Sequence, residues 1–117
     1  MSITGIQMRS SKYQSMTVTL GGTKDNLTLE LIQDTVGFYE IGGKSGEAVA
    51  FITQIDKALM PKKSGSGEAI DQGAKVYYDA GTGKLTGISG TLCGRALEAA
   101  GANDTTILVA FNGLAVA

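Results

Sequence analysis

AIDQGAKVYYDAGTGKLTGISGTLCGRALEAAGANDTTILVAFNG, residues 69–113, decides the fold, because it reads as consecutive short strands without catalytic equipment. Residues 74–79 (AKVYYD) form a strand, 80–83 (AGTG) a glycine-rich turn, and 84–88 (KLTGI) pair back as a hairpin. Tyr77 and Tyr78 fall on opposite faces, so one ring belongs to the core and the other is exposed or interfacial. Residues 105–113 (TTILVAFNG) alternate Ile107, Val109 and Phe111 against Thr106, Leu108 and Ala110. Both faces are apolar, which predicts a strand buried on both sides or lying at a subunit contact. Tyr78, Leu108 and Phe111 are therefore the candidate oligomer interface. Between the two regions, RALEAAG (95–101) looks locally like a helix turn but is too short to stand alone as a helix.

Upstream the same period recurs. Met16, Val18 and Leu20 alternate with Thr17 and Thr19 before Gly21-Gly22, and LTLELIQ (27–33) sets Leu27, Leu29 and Leu31 against Thr28 and Glu30. Residues 35–41 form a further strand. Residues 47–60 (EAVAFITQIDKALM) fit either a helical face through Ala48, Phe51, Ile52, Ile55, Ala58 and Leu59 or two short strands. The cluster Val49, Phe51, Ile52, Thr53 favours the strands. Pro61 closes this segment, and 62–68 (KKSGSGE) is a flexible loop in which Lys62-Lys63 reads as a solvated turn. Residues 1–15 show no sustained period and read as an arm that a partner orders. The predicted organisation is thus an arm over 1–15 and one β-rich domain over 16–117.

Composition agrees. Seventeen glycines against one proline in 117 residues suit tight turns, and with no Trp the core must rest mainly on Val, Ile, Leu, Met and Ala. A net charge of −1 without a basic cluster provides no footprint for nucleic acid or an anionic membrane. No apolar run approaches the roughly 18 residues of a membrane-spanning helix, and the first fifteen residues lack the pattern of a signal peptide. These features predict a soluble protein made in a reducing cytoplasm.

Chemistry is hard to find. Histidine is absent, which removes Ser-His-Asp and Cys-His arrangements and the commonest metal ligand. The single Cys93 reads as a buried hydrophobe, and one cysteine cannot build a zinc site. Asp71, Asp79 and Asp104 read as turn residues. GFYEIGGKS (37–45) resembles a phosphate-binding loop, yet the required first glycine position holds Phe38 and Gly37 lies one residue too far. A turn over 42–46 is the simpler account. No cofactor is expected, and no enzymatic activity.

GAKVYYD (73–79), TGKLT (82–86), GRALEAA (94–100) and DTTILV (104–109), with GEAVA (46–50) and LMPK (59–62) upstream, carry a resemblance. The chain resembles the small capsid cement, or head decoration, proteins of tailed bacteriophages, some of which have been labelled predicted recombinases. The resemblance implies an all-β fold, a small β-barrel or β-sandwich of β-tulip type with an extended N-terminal arm. It also implies a structural virion protein on the outer surface of the phage head, made in the host cytoplasm, that stabilises the shell by bridging subunits of the major capsid protein. A homo-oligomer, most often a trimer, is expected. Ile3, Ile6, Met8, Arg9 and Tyr13 become the candidate capsid-binding residues of the arm, which could add a strand to a capsid edge. The rival expectations are another virion or tail structural or adhesion module, and a nucleotide-binding recombinase accessory protein.

Overall fold

A chain rich in glycine and β-branched residues places its backbone hydrogen bonds in one continuous sheet. A computed structural model describes residues 6–10 and 12–114. Among them are nine strands and no helix: β1 Gln7–Met8, β2 Tyr13–Thr19, β3 Thr28–Ile32, β4 Thr35–Tyr39, β5 Ala48–Pro61, β6 Lys75–Asp79, β7 Lys84–Thr86, β8 Thr91–Ala96 and β9 Thr106–Asn112. The all-β expectation holds, and the architecture is a nearly closed antiparallel barrel.

β5 organises everything else. The two short strands expected over 47–60 are one 14-residue strand. Its register against β9 shifts between Ile55 and Ala58, and such a bulge bends a strand without breaking it. The first half of β5 pairs with β2 on one side and with β4 on the other, while the second half pairs with β1 and β9. One strand thereby serves both the wing and the barrel of the same sheet.

The barrel runs β5-β9-β8-β6-β7. A parallel bridge between Lys62 and Leu85 closes it, with the Lys63 amide donating to the Leu85 carbonyl at 2.8 Å. The β6–β7 hairpin stands where the sequence places it. The helix-like RALEAAG is instead the end of β8 and its turn, because pairing of β8 with β6 and β9 overrides local propensity. Inside lie Val76, Tyr78, Leu85, Cys93, Ile107, Val109 and Phe111, joined by Val36, Phe38 and Ile52. The Phe38 and Phe111 rings meet edge-on at 6.0 Å and 64°.

A four-stranded wing, β2-β5-β4-β3, extends from the barrel. Its outer face carries a small second cluster of Leu20, Tyr39 and Phe51. The Phe51 ring lies over Gly37, where any Cβ would come within 2.5 Å of it.

One local expectation fails. Lys62, read as part of a solvated turn, is only 1% exposed. Closure of the barrel draws it inside, since its amide donates to the Thr105 carbonyl at 2.8 Å while its carbonyl side faces β7. Only non-local pairing could reveal this.

Candidate functional site

Among the described residues the wing ends in two free strand edges, and they differ. β3 is five residues long, carries Glu30, and is bounded by Leu27 and Gln33 with φ of 57° and 56°. Left-handed residues interrupt an extended backbone, so this edge is short and protected. β2, YQSMTVT, is seven residues long without a charge or a proline, and its only strand neighbour among the described residues is β5. An uncharged edge of that length presents unpaired N–H and C=O groups as a template for another strand. Tyr13 and Met16 stand exposed on it at 44% and 37%. The alternation of residues 16–20 identifies the strand; that its second edge is unpaired follows only from the topology.

The arm residues divide by role. Ile3 lies outside the described residues. Ile6 is 3% exposed and belongs to the main core, and Met8 packs against that core from β1. Arg9 is exposed, with its guanidinium donating to the Gln7 side-chain oxygen at 2.7 Å. Tyr13 is exposed at the start of β2. Of the candidate arm residues, Arg9 and Tyr13 are thus the described ones exposed to a partner.

The three interface residues also part company. Phe111 and Tyr78, 1% and 7% exposed, sit in the main core. Leu108 faces outward, half-buried beside its register partner Leu59 on β5. Leu97 lies next to it, donating its amide to the Leu108 carbonyl at 2.9 Å. Leu59 was hidden from sequence reading because residues 47–60 left helix and strand open; one continuous strand puts Ala58 and Met60 inside and Leu59 out.

The phosphate-loop lookalike is part strand and part turn. Gly37 lies in β4 and residues 42–46 form the turn into β5, anchored by the Lys24–Gly43 bridge. The Lys44 amide, which a phosphate would need, donates to the Glu47 carboxylate at 2.6 Å. The acidic turn residues behave as expected. Asp79 accepts from the Thr82 hydroxyl at 2.8 Å, Asp104 accepts from the Gly101 amide at 2.8 Å, and the Asp71 carbonyl accepts from the Ala74 amide. No group of three or more metal-ligating side chains occurs among the described residues. No helix there is long and apolar enough to cross a membrane.

The strongest polar contact outside the barrel joins Lys24, Glu30 and Tyr39. Lys24 Nζ and the Tyr39 hydroxyl both donate to Glu30. Partial burial raises the Glu30 carboxyl, but these two hydrogen bonds and the Lys24 charge outweigh it and hold the group below its usual range. Tyr39 moves upward through burial and through Glu30. The Tyr39–Glu30 bond secures β3 to β4.

Cys93 is fully buried against the Val76 carbonyl, and desolvation pushes its thiol up to about 12. A thiol reagent at neutral pH is expected to modify Cys93 only when the protein unfolds. The folded state holds this proton more tightly than the unfolded one, so the associated stability is present below pH 9 and is lost as pH rises toward about 12. Urea titrations across that range check the slope, which Cys93→Ala should flatten; Tyr39 and Tyr78, also raised, keep a residual fall.

No curated protein and no solved structure matches this chain. What it does match, over residues 11–111 and so across both the wing and the barrel, is the family described as Phage cement protein; the chain belongs to that family of structural phage capsid proteins.

Proposed function

We propose that this protein binds the outer surface of the phage head and stabilises it by bridging subunits of the major capsid protein. The observation that carries the reading is the uncharged, unpaired edge of β2, flanked by exposed Arg9 and Tyr13. A shell under internal pressure fails where neighbouring subunits part, and a strand shared across a capsid edge opposes that parting through main-chain hydrogen bonds. The arm over 1–15 engages that edge from β1 and the start of β2, and the barrel is the oligomerising body. Each contact is weak alone; a homotrimer engages several at once and gains by effective concentration. The protein is made in the host cytoplasm and acts in the virion without nucleic acid, membrane or cofactor.

Occupancy on purified expanded heads tests the arm. Arg9→Glu combined with Tyr13→Asp alters two exposed side chains and is expected to reduce binding at least about tenfold, roughly 1.4 kcal/mol, while Lys75→Glu on the exposed face of β6 leaves it unchanged. Equal occupancy of all three proteins removes the arm from the mechanism. The trimer rests on the outward face of Leu108 with Leu59 and Leu97. Light scattering at micromolar concentration is expected to show a trimer that Leu108→Asp reduces to the 12.0 kDa chain; a wild type already at that mass overturns the preformed oligomer.

A further inference from the structure

Lys62 is among the largest fully buried side chains of the protein. Its ammonium donates to the carbonyls of Lys63 at 2.7 Å and Asp104 at 3.4 Å. That leaves three protons with two acceptors, and among the described residues no carboxylate forms an ion pair with it. A desolvated charge held only by carbonyl dipoles is less stable than the same charge in water. The position of this charge matters more than its presence. Residues 62 and 63 are where the barrel closes, and backbone closure there consists of one parallel bridge to Leu85 and one amide bond from Lys63, with a single side-chain bond beside it, from the Thr86 hydroxyl to the Glu68 carboxylate at 2.8 Å. Beyond that bridge, β7 pairs only with β6, and β6 hangs on β8.

We propose that Lys62 is a built-in wedge that makes the seam between residues 62–63 and β7 the first part of the barrel to open. Parting the seam admits water to the ammonium, so the charge favours the open form. The β6–β7 hairpin then swings on its ladder with β8, uncovering Leu85 and a strand edge that the closed barrel hides. Lys63 opposes the motion, since it reaches Asp79 at 3.3 Å and Glu68 at 3.9 Å across the same seam. The Lys63–Asp79 contact is half-exposed, and Glu68, though buried, is reached only at 3.9 Å; such pairs hold less firmly than a strand ladder, so the seam remains the weakest closure. The inference stands independently of the capsid reading.

Amide hydrogen exchange tests it on the whole chain. The Lys63 amide reports the seam, and the Leu97 amide, bonded to the Leu108 carbonyl within the β8–β9 region, reports the remainder of the barrel. In the wild type Lys63 should exchange at least tenfold faster than Leu97. Lys62→Met, which keeps the length and removes the charge, should slow Lys63 at least tenfold relative to Leu97. An unchanged or accelerated ratio in Lys62→Met overturns the proposal and makes the ammonium neutral or a lock. Wild-type Lys63 exchanging no faster than Leu97 overturns it without any variant, so the test survives a Lys62→Met protein that does not fold.

Discussion

Phe111→Ala is expected to lower the free energy of unfolding by about 3–5 kcal/mol. The ring is 1% exposed and packs edge-on against Phe38. It also sits opposite Ile55 on β5 and Gly94 on β8, at the point where wing and barrel share a core. Truncation leaves a cavity beside the Phe38 ring, so the cavity penalty adds to the lost burial. A domain of this size is stable by about 5–15 kcal/mol, so the variant is expected to fold only marginally. Urea denaturation measures the change. Leu108→Asp, three positions away on the same strand but on the outer face, should instead dissociate the proposed oligomer and leave the protomer core intact. A loss below about 1 kcal/mol in Phe111→Ala would place the ring outside the core.

That contrast between neighbours shows where sequence reading reaches and where it stops. Alternation over residues 105–113 separates Phe111 from Leu108 correctly, and it shows both sets apolar. It does not say which set the protomer buries for itself, because that depends on strands distant in sequence. Tyr78 has the same history, assigned to an interface and found in the core. The β6–β7 hairpin is fully legible, since its turn glycines and its period are local. β5 is not, because a strand that serves both the wing and the barrel is apolar in stretches on both faces, and its pattern blurs into that of a helix. In the arm, Ile6 and Met8 sit either side of Gln7 with the spacing of a strand, but β1 is only two residues long. A period cannot be read from one repeat. Lys62 is the extreme case, as its composition argues for solvent and only the closing bridge to Leu85 places it inside.

Gly94→Ala should come close to Phe111→Ala in effect although it adds a single methyl group. A Cβ at Gly94 would lie 2.3 Å from the Ala110 carbonyl oxygen, 3.2 Å from its carbon and 3.3 Å from the Phe111 Cα. All three are backbone atoms of β9, so no side chain can turn aside. β8 is held on its other edge by β6, where the register already shifts between Val76 and Tyr77 to admit the extra residue, so the strand cannot retreat either. The alanine therefore forces β8 and β9 apart at the centre of the barrel, with an expected loss of about 3 kcal/mol, the upper end of the range for overpacking. Distance alone would rank Gly113→Ala higher, since a Cβ there meets the Val36 oxygen at 1.5 Å. Gly113, however, follows the last residue of β9; its amide donates to the Thr53 carbonyl at 2.7 Å and its carbonyl accepts from the Val36 amide at 3.3 Å, so relief there requires giving up only the longer of two bonds rather than parting two paired strands. Gly21→Ala, with nothing within 4 Å of the added atom, should change stability by less than about 0.5 kcal/mol. Thermal unfolding of the three variants side by side orders them, and Gly113→Ala proving more damaging than Gly94→Ala would mean that the end of β9 is held as rigidly as the middle of the barrel.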